Sequence, residues 1–320
     1  MKSHPLWKGV SLCLITGIAW GGQFPVAGSI LQHINPFYFA LIRYGVASVL
    51  FLLLLLFAEG PGSFRLEGKG IKLWILGSMG FAAYNFLVFP GQKMAGASGA
   101  VLTSVMMGFS PLISVMVIMV YKKIKPPLFT VCCICTGFIG VFMVVTKGDI
   151  SGLLSAGGNG MSFVLILLGV ICSVIYTIGG GMFSGWSSLR YTALTCLLGT
   201  GTILVVVVLG TWIGVLAVPR VDQLQANIWS LAYMIVIAGV LAFLCWNEGN
   251  KILSPINASL FINLVPIVSV MISVIQGYAI RSIEIIGASI TISALFLNNL
   301  YQRNGTRMVA LMNGVRGKKG

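Results

Sequence analysis

The sequence predicts an all-α integral membrane protein with ten transmembrane helices in two inverted five-helix repeats. Three observations carry that prediction. Of 320 residues, 58% are hydrophobic and only 8% charged, with a mean hydropathy of +1.00, whereas soluble domains are about a quarter charged. Apolar runs of about twenty residues, enough to cross a hydrocarbon core of ~30 Å, recur along the whole chain. The second half also echoes the first: Gly91-Gln92-Lys93 matches Gly249-Asn250-Lys251, and Ala100 and Leu102 match Ala258 and Leu260 at the same offset. Pro111 then pairs with Pro266, and Ile113-Ser114-Val115-Met116 follows the first proline as Val268-Ser269-Val270-Met271 follows the second.

The apolar runs fall at roughly 8–30, 37–58, 71–90, 97–121, 128–146, 161–183, 190–213, 229–248, 255–277 and 283–301. This divides the chain into a first repeat (1–147), a Gly/Ser-rich loop (148–160), a second repeat (161–302) and a basic tail (303–320). Five crossings per repeat is an odd number, so the second repeat must start from the opposite side of the membrane. Inverted repeats place a binding site near the midplane at their interface, and rocking of one half against the other exposes it to each side in turn. The arrangement points to a transporter working by alternating access.

Cationic residues set the expected orientation, because short cytoplasmic loops carry excess Lys and Arg. With the N-terminus inside, fifteen lie on the cytoplasmic side: Lys2, Lys8, Arg65, Lys69, Lys72, Lys122, Lys123, Lys125, Arg190, Lys251, Arg303, Arg307, Arg316, Lys318 and Lys319. Only four, Lys93, Lys147, Arg220 and Arg281, lie outside. Both termini are therefore expected in the cytoplasm, and the net charge of +14 is accounted for without a nucleic-acid partner.

In chain order, Met1 to Trp7 is a short polar lead with no convincing cleavage site after it, so the first run reads as an uncleaved helix. Gly17 and Gly21 bare one face of that helix for close contact. Pro25 removes a backbone donor and predicts a kink just beyond Gln23. This segment reads either as packing and kink alone or as presenting Trp20 and Gln23 to a central cavity. His33 and Asn35-Pro36 make the following turn, and His33 reads as a solvated loop residue. Arg43, two turns into the second run, either snorkels outward or meets an anionic substrate, since an intramembrane Arg costs about 2.5–3.5 kcal/mol on insertion scales.

Asn85 in the third run must face inward to find a partner. Pro111 and Pro266 leave the carbonyls of Met107 and Ile262 without helical partners, which predicts a matched, kinked, inward-facing helix pair. Cys132, Cys133 and Cys135 lack neighbouring His or carboxylate, and the other four cysteines are scattered, so the seven read as small apolar residues without metal or disulfide. Tyr176 and the run Gly179-Gly180-Gly181 mark the sixth span as able to bend. Glu248, the one carboxylate near a span interior, reads either as an interfacial ion pair with Lys251 one turn away or as a protonatable coupling site.

At this point the residues are similar to a known family. Gly17-Ile18-Ala19-Trp20-Gly21, then Asn35-Pro36 and Arg43, and Trp246-Asn247 with Gly249 leading into Ala258-Ser259-Leu260, Asn263 and Pro266, resemble the EamA-type members of the drug/metabolite transporter (DMT) superfamily over about residues 10 to 300. The resemblance implies a basket of ten helices, usually in a bacterial inner membrane, that exports or exchanges amino acids or other small metabolites. It also implies a cavity lined by spans one, three, four, six, eight and nine, which selects Trp20, Gln23, Asn85, Tyr176, Trp246 and Asn263 as substrate-binding residues. The chain departs from the family where many members carry an acidic residue after the fourth helix of each repeat: here stand Tyr121-Lys122-Lys123 and Gly277-Tyr278-Ala279.

No carboxylate pair, His-based metal set or nucleophile motif lies at membrane depth, which argues against an enzyme, and no pore loop or charge ring suggests a channel. The expectation is a carrier for a small polar or amphipathic, amino-acid-like metabolite, with no catalytic residue, metal or cofactor, and with membrane lipid and a proton or counter-substrate as its other partners. Trp20 and Trp246 would wall the apolar or cationic part, and Gln23, Asn85 and Asn263 would bond the polar part. Two alternatives stay open: a facilitator or exchanger of a charged nucleotide-like or organic-anion metabolite contacting Arg43 or Lys93, and a non-transporting membrane scaffold.

Overall fold

The computed structural model describes residues 4–122, 127–148, 159–183, 185–253 and 259–316. The Gly/Ser-rich linker at 149–158 and the stretch 254–258, with Ala258 of the duplicated motif, lie outside the described residues. Every regular element among the described residues is helical.

The first repeat comprises α1 (His4–His33), α2 (Pro36–Glu59), α3 (Gly70–Gly77), α4 (Tyr84–Met94), α5 (Gly99–Gly108), α6 (Ser110–Lys122) and α7 (Leu128–Thr146). The second comprises α8 (Asn159–Gly179), α9 (Ser188–Trp212), the short α10 (Val221–Ala226) and α11 (Ile228–Ala232), then α12 (Ala242–Leu253), α13 (Leu264–Ile275) and α14 (Ser282–Arg316). A π-helical turn, Ser78–Ala83, joins α3 to α4, and a longer one, Tyr233–Leu241, joins α11 to α12. The third span of each repeat thus carries the same irregularity at the same place.

Local chemistry explains several boundaries. Asn35 caps α2, its side chain accepting from the Phe37 amide, and Pro36 fills the first turn, where a missing N–H is harmless. Ser187 caps α9 by accepting from the Arg190 amide. Lys147 ends α7 in the left-handed conformation, with Gly148 following at φ 82°.

Among the described residues, six helices are long and apolar enough to cross a membrane: Leu6–His33, Pro36–Glu59, Gly70–Met94, Gly160–Phe183, Ser188–Trp212 and Ile228–Gly249. Shorter apolar helices at Gly96–Gly108, Leu128–Val144, Phe261–Ile275 and Ser282–Asn298 accompany them. Large apolar side chains face outward, including Val49, Leu53 and Phe57 on α2 and Leu204, Val205 and Val208 on α9. Water would not leave so extensive an apolar surface uncovered, whereas lipid solvates it. The protein is an integral membrane protein.

The prolines behave differently in the two halves. At Pro111 the helix breaks where expected, with Phe109 ending one segment and accepting from the Leu112 amide at the start of the next. Pro266 lies in the first turn of α13, just after the 3-10 turn Ser259–Asn263, so the irregularity precedes it. Helix α1 runs without a break through Pro25. Helix α14 continues well past the expected end of the tenth span, to Arg316.

Packing relates the halves by exchange. Helix α1 packs on α12 as α4 packs on α8, while α2 lies along α9 and α7 along α14. The duplicated glycines supply the reason. A Cβ on Gly91 would lie 2.8 Å from Ile166 in α8, and one on Gly249 would lie 2.6 Å from the Cys13 sulfur in α1. Each therefore lets the first helix of the other repeat approach closely.

Contacts at the helix ends fix the directions. At one end, Lys8 at the start of α1 pairs with Glu248 near the end of α12, and Arg190 at the start of α9 pairs with Glu67 in the loop before α3. At the other end, the Tyr38 hydroxyl at the start of α2 meets Thr211 near the end of α9 at 2.7 Å. Helix α1 thus starts at the end where its counterpart α8 finishes, as inverted repeats require.

Candidate functional site

The two π-helical turns organise the interior. A π turn widens the backbone and displaces carbonyls from α-helical hydrogen bonding, and such turns recur at functional sites. Each freed carbonyl needs another donor. In the second repeat, Arg43 Nε donates to the Met234 carbonyl at 3.1 Å and Trp20 Nε1 to the Ala238 carbonyl at 3.2 Å. In the first, Asn85 Nδ2 donates to the Phe81 carbonyl at 2.6 Å. Three residues singled out from the sequence therefore converge on the two turns.

Trp20 leads into an aromatic cluster. Its ring centroid is 5.5 Å from those of both Phe243 and Trp246. Phe243 continues to Phe81 at 6.0 Å, and Phe81 meets Tyr176 at 5.3 Å and Tyr44 at 5.1 Å. Tyr176 stacks on Tyr191, and its hydroxyl lies 3.4 Å from the Thr195 hydroxyl. Beside them Asn247 Nδ2 donates to Thr192 at 3.0 Å. The cluster joins both repeats, and its rings touch one another in this conformation.

Arg43 closes the polar side. It is only 1% exposed, so it does not snorkel to a membrane surface. Its Nη2 donates to Gln23 Oε1 at 3.1 Å, its guanidinium carbon lies 5.0 Å from the Tyr44 ring centre, and its Nη1 has no hydrogen-bond partner among the described residues. Gln23 is one helical turn beyond Trp20, so the polar and aromatic parts adjoin. Pro25 is buried on the same stretch of α1, and nearby Gln92 Nε2 donates to the Phe24 carbonyl at 2.7 Å.

The structure thus gathers Trp20, Gln23, Arg43, Asn85, Tyr176 and Trp246. Asn263 is not brought to this cluster by any recorded contact. It lines a cavity of about 520 Å³ with Leu264, Ile267, Ile292, Ser293, Phe296 and Leu297, between α13 and α14, and among the described residues both its side-chain polar atoms lack partners. Glu248 stands outside as well: its ion pair is with Lys8 at 3.6 Å, and its side chain is 47% exposed at a helix end.

Sequence reasoning missed Phe81, Phe243, Tyr44 and Tyr191. Phe243 was within reach, since it lies one turn before Trp246 and shares its face. Phe81 was not, because its direction depends on the π turn, which no side-chain spacing announced.

A duplicated, inverted helical bundle with an aromatic and polar cluster between its halves defines a membrane transporter, not an enzyme. The chain belongs to the EamA-like transporter family, which matches residues 7–146 and 160–300, one copy per repeat. It is 42% identical over 303 residues to an uncharacterized transporter, YrdR, of Bacillus subtilis (strain 168), covering 95% of this chain and 94% of that protein. A second uncharacterized transporter of that organism, YyaM, is 28% identical over 275 residues, covering 85% of this chain and 87% of its own. A solved crystal structure shares the fold with a TM-score of 0.64 at 14% identity, covering 95% of this chain and 99% of that one. Membership gives the protein a small-molecule substrate.

Proposed function

We propose that the protein moves a small, amphipathic, amino-acid-like metabolite across a bacterial inner membrane by alternating access, as an exporter or exchanger. Ten crossings with both termini cytoplasmic suit this reading, since the Lys8–Glu248 and Arg190–Glu67 pairs belong to the cation-rich end. The observation that carries the proposal is the cluster at the two π turns, where aromatic faces from both repeats adjoin buried amide and guanidinium groups. Rocking of the repeats parts the Trp20, Phe243 and Trp246 rings and opens the space between them to one side. An apolar or cationic portion lies against those rings, and a polar portion meets Gln23 and Asn85. A second reading, exchange of an organic anion, is favoured by the buried charge of Arg43.

The test is counterflow in proteoliposomes containing the purified protein, using labelled amino acids, nucleosides and organic anions with and without a proton gradient. Saturable counterflow of one class is the expected result. Absence of counterflow across the whole panel, with the protein still folded, would overturn the carrier reading in favour of a scaffold.

A further inference from the structure

Arg43 is the one buried cation among the described residues, and no carboxylate among them pairs with it. Its two hydrogen bonds go to neutral acceptors, the Gln23 amide and the Met234 carbonyl, and its Nη1 is buried without a partner. Tyr44, Tyr84, Tyr233 and Cys196 lie near enough to interact with it, and none of them is a carboxylate. The four ion pairs among the described residues all involve other cations. A guanidinium withdrawn from water at several kcal/mol demands a counter-charge, and holding Gln23 and Met234 requires only a neutral donor. The Tyr44 and Phe89 rings, at 5.0 and 6.0 Å, offer the positive charge partial compensation, but no anion among the described residues answers it.

Resting on the carrier reading above, we propose that Arg43 is the anchor for a carboxylate on the transported molecule, received on its free Nη1 edge. Arg43 is closed off from lipid, so the anion is a solute that reaches the bundle interior. Its position sets the rest of the ligand. The carbonyls that Arg43 and Trp20 engage, Met234 and Ala238, are four residues apart within the same π-helical turn. A carboxylate at Arg43 therefore places a group a few bonds away against Trp20 and its aromatic neighbours. Two unlike groups a few bonds apart describe an amino acid or a short amphipathic organic acid. A compound whose carboxylate is masked as an amide leaves the charge buried and unanswered, and sites built around a polar partner discriminate strongly against its loss.

The experiment uses the full-length protein in proteoliposomes with a matched panel: the twenty amino acids, short aliphatic and aromatic carboxylic acids, the amide of each, and uncharged polyols and nucleosides. Counterflow and ligand-induced thermal stabilisation are both read. The expected result is that at least one acid exchanges and stabilises the protein, its amide being weaker by about tenfold or more. Arg43→Gln should erase the difference between acid and amide. A second variant guards against simple misfolding: Gln23→Glu supplies a carboxylate to Arg43 from within the chain, so it should raise thermal stability while lowering exchange of the acid. Equal exchange of acids and amides, exchange of uncharged compounds only, or an acid preference that survives Arg43→Gln would overturn the carboxylate assignment while leaving a carrier in place. If no compound moves, the carrier reading falls first and this assignment falls with it.

Discussion

Gly140 and Gly287 face each other across the contact between α7 and α14, so closely that a Cβ on either would lie 2.5 Å from the carbonyl oxygen of the other. The obstacle in both directions is backbone, which cannot rotate aside. Thr291 adds to the contact by donating to the Gly287 carbonyl at 2.9 Å and the Gly137 carbonyl at 3.4 Å. The last helices of the two repeats are thus brought together by small residues at this crossing, as is common where lipid supplies no hydrophobic drive between helices, and the Phe129 and Tyr301 rings meet at 4.8 Å across the same pair. Gly140→Val and Gly287→Val should each destabilise the protein by about 1–3 kcal/mol through overpacking. Thermal unfolding in detergent checks this, and an unchanged midpoint for both variants would show that the helices part freely.

Trp20 links packing to the proposed ligand wall, because it donates to the Ala238 carbonyl and also meets Phe243 and Trp246. Trp20→Phe keeps an aromatic ring but removes the donor, and should cost about 0.5–1.5 kcal/mol of stability. Gln23→Ala and Trp246→Ala should each lower saturable counterflow severalfold while leaving the amount of membrane-inserted protein unchanged. Radiolabel exchange normalised to inserted protein is the measurement. A fall in inserted protein that fully accounts for the lost exchange would assign these residues to packing alone.

The membrane class and the duplication were legible because both rest on signals that survive any tertiary arrangement. An apolar run is apolar wherever it packs, and the Gly91 and Gly249 motifs recur for one physical reason, the approach of a helix from the other repeat. The site was legible only in part. Trp20, Gln23, Arg43 and Asn85 stand out as polar or amphipathic residues within apolar runs, and the structure gathers them at the π turns. Asn263 has the same sequence character yet lies at the separate cavity beside α14, because side-chain direction at the end of a 3-10 turn does not follow α-helical spacing. Glu248 drew attention as a carboxylate near a span interior, but the bundle ends around it and leaves it partly exposed beside Lys8.

Glu67 ties the loop between α2 and α3 to the start of α9. It accepts from Trp186 Nε1 at 2.9 Å and from Arg190 at 2.7 Å, while the Arg190 guanidinium lies 3.8 Å from the centre of the Trp186 ring. The hydrogen bonds from Trp186 and then Arg190 hold its carboxyl below the ordinary value of 4.5. A depressed folded value means that the stabilisation is present above the ordinary carboxylate range and is lost as pH falls through the folded value. The thermal midpoint of wild-type protein should therefore exceed that of Glu67→Gln near neutral pH, and the gap should narrow below about pH 4.5. A gap that stays constant through the acid range would show that the carboxylate charge contributes nothing to this tie.

The two π turns are held in different ways, and that difference predicts which of them responds to movement of the repeats. In the first turn, Asn85 reaches back along its own helix to the Phe81 carbonyl, so the support travels with the turn. In the second, the donors come from α1 and α2, through Trp20 and Arg43, and Tyr233 in return donates to the Ala19 carbonyl at 2.8 Å. Any shift of α1 or α2 against α11 and α12 must break those bonds. Local opening shows in amide hydrogen exchange, so Arg43→Gln and Trp20→Phe should speed exchange across Tyr233–Leu241 and leave Ser78–Ala83 unchanged. Asn85→Ala removes that donor from the Phe81 carbonyl, at a cost of about 0.5–1.5 kcal/mol, and should do the reverse. Equal acceleration of both turns in all three variants would mean that they open as one unit, and the second would then have no special coupling to the rocking of the halves.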